Sequence, residues 1–136
     1  MRAVLDPNVI ISGVLSRDGS PAEVLRALDR GEFELIASQD LLEELGRALA
    51  YPKLRAHITE QDAAAVVRWA SDAATIVSTP AGEPPLRSTD AGDDYLIAMA
   101  YAHRAALVSG DKHLLRLSHE IPAFSARDFL ALLADA

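Results

Sequence analysis

"AVLDPNVIIS" (residues 3–12) decides how the rest of the chain is read. Three apolar residues run into Asp6, Pro7 follows, and after Asn8 the chain turns apolar again. Residues 2–5 predict a short buried strand. Residues 7–15 predict a helix with Pro7 at its first position, where a missing N–H costs nothing. A buried strand that ends on a carboxylate has two readings. Asp6 caps the helix that follows it, or it is a ligand-binding group at the mouth of a parallel sheet.

The same signals recur outward from this stretch. Ser20, Pro21 and Glu23 form a capping-box pattern that opens a helix to about Arg30, ended by Gly31. "FELIAS" (33–38) is a second strand. Ser38 then caps a helix over 39–50, which stops at Tyr51-Pro52. Thr59 opens a helix over 60–73 with Asp62 at its third position. A third strand (75–78) leads into a Pro/Gly-rich loop (79–92). A helix over 93–104, a fourth strand (106–110), a helical turn (113–117), a short fifth strand in "IPAFS" and a Ser125-capped helix (126–134) complete the chain. Strands alternate with helices throughout. The expected class is therefore α/β, a parallel sheet covered on both faces, in a single domain spanning 1–136.

Composition narrows the function. The chain has 136 residues, 50% hydrophobic and 24% charged, as a globular protein requires. No cysteine is present, which excludes disulfides, thiolate nucleophiles and zinc–thiolate sites and suits a cytoplasmic setting. The first residues lack a signal-peptide pattern, and no apolar run approaches the ~20 residues of a membrane span. The formal charge is −7, from 13 Lys and Arg against 20 Asp and Glu. That balance argues against a module that binds nucleic acid by charge alone. It leaves room for a nuclease whose acidic groups are covered by metal ions.

In an open α/β sheet, ligands bind beyond the carboxyl ends of the strands. Asp6 ends strand one, Asp111 follows strand four, and Asp94 opens the helix that leads into strand four. Each has a plain structural reading as a cap or a dipole partner. Together they are several like charges at one rim, which is costly without a cation. Glu43 and Glu44 separate by helical geometry. Leu41, Leu42, Leu45, Ala48 and Leu49 make one apolar face. Glu43 lies opposite it, where an ion pair with Arg47 explains it. Glu44 lies at its border, from where it reaches over the sheet edge. Asp93 and Asp94 do not separate this way, because both flank the Ile97–Tyr101 stripe.

The order of "VLDPNVIIS", "SQDLLEEL", "GDDYLIAMAYAHRAALVSGDKHLL" and "PAFSARDFLALL" resembles PIN-domain proteins across nearly the whole chain. It looks most like the VapC-like toxin components of bacterial toxin–antitoxin modules. The resemblance implies a three-layer α/β/α fold with a central parallel sheet of four or five strands. It implies a metal-dependent endoribonuclease with Mg²⁺ or Mn²⁺ in an acidic pocket, leaving 5′-phosphate and 3′-hydroxyl ends. By position, Asp6, Glu44, Asp94 and Asp111 match the family's acidic quartet. Asn8 matches a polar position near the first Asp, and Ser109 a small hydroxyl position before the last. Two departures stand out. Pro7 replaces a frequent Thr or Ser, and Asp90 and Asp93 crowd the third acid, so that Asp93 competes with Asp94 for its role.

On this reading Asp6, Asp94 and Asp111 bind metal, and Glu44 binds metal or orients the attacking water. The expected partners are RNA and a small antitoxin protein, with a homodimer as a further assembly. Lys53, Arg55, Lys112 and Arg116 are weak candidates for phosphate contacts, each better explained as solvated surface charge. His113 and His119 are weak general-acid candidates, because no spacing to a second His supports that role. Trp69 and the tyrosines read as packing residues. Asn8 stands where a haloacid-dehalogenase-type phosphatase needs a second Asp. "LDPN" also lacks the acidic pair of a receiver domain. A housekeeping RNA-processing nuclease and a non-catalytic α/β binding module remain the alternatives.

Overall fold

The computed structural model describes residues 1–78, 94–116 and 121–135. Strand β1 (Arg2–Leu5) runs into helix α1 (Pro7–Leu15), followed by α2 (Ser20–Asp29). Then come β2 (Glu34–Ser38), α3 (Gln39–Leu49), α4 (Pro52–Arg55), α5 (Glu60–Ala73) and β3 (Ala74–Val77). The chain continues through α6 (Asp94–Ala102), β4 (Ala106–Val108), α7 (Lys112–Leu115), β5 (Ala123–Phe124) and α8 (Ala126–Ala134). All five strands are parallel, in the order β3-β2-β1-β4-β5.

Alternation along each strand sends side chains to two cores. Ala3, Leu5, Leu35, Ala106 and Val108 pack on the face covered by α1, α2, α3, α5 and α8. Val4, Ile36 and Leu107 pack on the opposite face, against Leu96, Ile97 and Met99 of α6 and Leu114 of α7. This is the expected three-layer α/β/α arrangement. Phe33 precedes β2 instead of belonging to it. It is buried edge-to-face against Phe129 of α8, with ring centroids 5.1 Å apart.

Several local expectations need correction. Ser20 does not cap α2: it is the first helical residue, and Gly19 is the N-cap with φ 105° and no side-chain hydrogen bond. That positive φ favours glycine, and Glu23 bonds Arg26 instead of closing a capping box. Pro52 both ends α3's path and opens the unforeseen turn α4, since proline suits a first helical position. Tyr101 is no part of a buried stripe. It is 66% exposed, while Leu96, Ile97, Ala98, Met99 and Ala100 are all buried. Glu43 and Arg47 form no ion pair; the ion pairs among the described residues are Arg2–Glu34, Arg26–Glu23 and Arg30–Glu32. By contrast Ser38, Thr59 and Ser125 cap α3, α5 and α8 as expected, each accepting a hydrogen bond from the third helical N–H.

Candidate active site

The strand order reverses at β1: the chain passes first to β2 on one side, and β4 later pairs on the other. A crevice at such a reversal, beyond the carboxyl ends of the strands, is where open parallel sheets bind ligands. Ladder register decides what stands there. Leu5 pairs with Val108, and Ala3 with Leu35. One step past Leu5 the rows align Ser38, Asp6 and Ser109. These are the buried polar residues among those described, at 1%, 5% and 0% exposure. Three buried polar groups in one row at the carboxyl end of the sheet mark the candidate site.

Asp6 is held from all sides. Its N–H donates to the Val108 carbonyl at 2.9 Å, which extends the β1–β4 ladder by one residue. Its Oδ1 accepts from the Asn8 N–H at 3.0 Å and caps α1. Its Oδ2 accepts from the Ser109 hydroxyl at 2.8 Å. The Ser109 Oγ in turn accepts the Asp111 N–H at 2.9 Å, and Asp111 Oδ1 accepts the His113 N–H at 2.7 Å, capping α7. Across the crevice, Glu44 is half-buried while Glu43 is exposed, as the helical geometry required. The Tyr95 hydroxyl of α6 donates to Glu44 Oε2, tying α6 to α3.

Electrostatics sets Asp6 apart. Burial pushes its carboxyl above the ordinary value, the hydrogen bonds from Asn8 and Ser109 pull it back, and the charges of Glu44 and Asp111 push it up again. Those two carboxylates are thus near enough to repel it. None of the ion pairs among the described residues reaches Asp6. Buried charges are normally paired or bound to a cation. The donors are all oxygens, the hard set that Mg²⁺ and Mn²⁺ prefer. The described carboxylates alone do not gather three strong into a complete cation site. Asp94 contributes its backbone to the first turn of α6. Its side chain, together with Asp90 and Asp93, lies outside the described residues.

Two clefts, each about 570 Å³, open on either side of this row and share Asn8. One contains Asp111 together with Ser12, Ser20, Ser125 and Arg127. The other contains Glu44 with Asp40, Arg47, Tyr51 and Tyr95. Lys53, Arg55, Lys112 and Arg116 are exposed and line neither cleft. Sequence reasoning missed Tyr95, Arg47, Tyr51 and Arg127. A signal existed for Arg47, which lies three residues after Glu44 on the same helix face. Tyr95 and Arg127 become visible only when α6 and α8 are placed against the sheet.

A parallel α/β sheet with an acidic crevice at its topological reversal defines the class. Within it, the profile of the PIN domain matches residues 2–113, so the chain belongs to the PIN-domain family, whose members are generally nucleases. The chain is 26% identical over 120 residues to an uncharacterized protein, MJ1680, of Methanocaldococcus jannaschii, covering 88% of this chain and 77% of that one. Its fold is similar to that of PAE2754 from Pyrobaculum aerophilum, with a TM-score of 0.67, 16% identity and coverage of 100% of this chain and 91% of the other. It is also similar to VapBC2 from Rickettsia felis, solved bound to a DNA fragment from their promoter. There the TM-score is 0.60 at 16% identity, covering 92% of this chain and 98% of the other.

Proposed function

We propose that this chain is a metal-dependent endoribonuclease, the toxin of a toxin–antitoxin pair, acting in the cytoplasm as one PIN-like unit over residues 1–136. The observation that carries the reading is Asp6: a carboxylate 5% exposed, repelled by Glu44 and Asp111, with no cationic side chain bonded to it among the described residues. Family membership supports nuclease chemistry. The likeness in fold to the Rickettsia felis VapBC2 structure, with the ordered motifs above, supports the toxin role. Asp6, Glu44, Asp94 and Asp111 would hold Mg²⁺ or Mn²⁺, with Asn8 and Ser109 supporting Asp6 and Asp111, and with Asp93 adjoining.

A bound divalent ion supplies an acidified water and relief of charge on the phosphoryl oxygens. The chain's own groups do the rest. The Ser109 hydroxyl and the Asn8 backbone N–H fix both oxygens of Asp6 in one orientation. Tyr95 holds Glu44 across the crevice, where its second oxygen is available to orient an attacking water. The protein partner would be a small antitoxin with an Arg or Lys to meet the carboxylates. The test is cleavage of single-stranded RNA by the purified chain in Mn²⁺. Cutting should stop in EDTA and in Asp6→Asn and Asp94→Asn. Activity that survives all three would overturn the assignment. An active enzyme whose expression neither harms cells nor finds an inhibitory partner would favour the housekeeping reading.

A further inference from the structure

The proposed site must draw in a polyanion although it is built from carboxylates. The two clefts around Asn8 differ in chemistry. The one beside Asp111 combines the Arg127 guanidinium with the hydroxyls of Ser12 and Ser125, donors of the kind that bind phosphate. The one beside Glu44 presents Tyr51, 63% exposed for so large a ring, next to Arg47. An exposed aromatic beside a guanidinium is the usual platform for an unpaired base. Neither guanidinium is engaged in an ion pair among the described residues. Topology sets them apart: Arg47 rides on the helix after β2 and Arg127 on the helix after β5, on opposite sides of β1. Arg127 also lies beyond residue 113, where the PIN-domain match ends.

We propose that a single RNA strand crosses the crevice from one cleft to the other. One base stacks on Tyr51 beside Arg47, and backbone phosphate is held by Arg127 with Ser125 on the far side of Asp6. This inference rests on the nuclease reading and assigns its substrate track. Tyr51 and Arg127 make different kinds of contact, so salt separates them. Losing a phosphate contact to single-stranded nucleic acid flattens the salt dependence of log K by about 0.7. Losing a stacking contact lowers affinity without changing the slope.

The experiment measures fluorescence anisotropy of a short labelled single-stranded RNA on the full chain, in the Asp6→Asn background, across a salt series. Arg127→Ala should weaken binding and flatten the slope. Tyr51→Ala should weaken it about 5- to 150-fold at unchanged slope, and Tyr51→Phe should restore it. Circular dichroism confirms that each variant is folded. The track is overturned if the Asp6→Asn chain does not bind the RNA at low salt or binds duplex RNA as tightly. It is also overturned if either alanine variant binds unchanged, or if both shift the slope alike. Cleavage by the otherwise unaltered chain is scored separately. Both signatures without cleavage would end the nuclease reading and leave the track, and cleavage without either signature would do the reverse.

Discussion

Replacing Asp6 by Asn should stabilise the metal-free protein while abolishing its activity. The folded-state pKa of Asp6 stands above its ordinary value of 3.8, first because the group is buried and further because Glu44 and Asp111 repel it. The folded chain therefore holds this proton more tightly than the unfolded chain does. Stability from the group is full below pH 3.8 and falls as pH rises through 3.8 and then through the raised folded value, above which it is constant. Above that raised value the whole cost is present, at about 1.36 kcal/mol for each unit of elevation. Asn caps a helix about as well as Asp, so the bond to the Asn8 N–H survives. The charge-assisted bond from Ser109 becomes a neutral one, a loss of about 0.5–2 kcal/mol. That bond already counts among the terms pulling the pKa down, and the net shift is still upward. The gain therefore exceeds the loss.

For a chain of this size about 1 kcal/mol moves Tm by about 4 °C. Thermal melts in EDTA should show Asp6→Asn a few degrees above the unaltered protein at pH 7.5, with the gap closing toward pH 4. Excess Mn²⁺ should reverse the order, since a ligand at 100 times its Kd adds about 2.7 kcal/mol to the protein that binds it. A mutant less stable at pH 7.5 in EDTA would refute the reasoning, as would a gap that does not change with pH. Either result would reduce Asp6 to a helix cap.

Glu44→Gln should lower RNA cleavage by orders of magnitude while Glu43→Gln stays near the unaltered rate, because Glu44 faces the crevice and Glu43 faces solvent; equal rates would show the helix face wrongly assigned. Ser109→Ala should cost about 2–4 kcal/mol in a urea melt, since it removes a bond to a carboxylate and leaves the buried-side N–H of Asp111 without its acceptor. Tyr95→Phe should leave the fold intact and lower kcat about 10- to 100-fold with little change in KM, from the loss of one hydrogen bond to a charged group. A loss confined to KM would make Tyr95 a substrate contact and not a positioning residue for Glu44.

The parallel sheet was legible because its strands are short apolar runs between capped helices. Ser38, Thr59 and Ser125 announced their helices through one local bond each. Local chemistry also separated Glu44 from Glu43, since helical periodicity alone puts one at the border of the Leu41–Leu45 face. What failed was decided by backbone conformation or by distant elements. Gly19 displaced Ser20 as a cap because the chain enters α2 with φ 105°, which no side-chain pattern reveals. Tyr101 looked like part of a stripe because α6 is apolar on nearly every side, so periodicity carried no direction. Arg127 gave no signal, because its cleft exists only once α8 folds back beside α1 and α2.

The opening stretch offered a choice between cap and ligand; Asp6 does cap α1, and on the proposed reading the same geometry prepares it to bind a cation. A carboxylate has two oxygens, each able to accept two hydrogen bonds. Asp6 spends one bond of Oδ1 on the Asn8 N–H, which fixes the torsion of the side chain and aims Oδ2 at Ser109. Asp111 does the same with the His113 N–H and leaves Oδ2 for the cleft it lines. The two caps are linked through a single atom, Ser109 Oγ, which donates to one aspartate and accepts from the backbone of the other. Capping is thus the device that holds two repelling carboxylates in fixed orientation before any ligand arrives. A side chain bound only by a ligand would lose rotamer freedom at the moment of binding; these have lost it already. The cost is an Asp6 that folding would rather keep protonated. Stability given up in that way is what an incoming cation can recover.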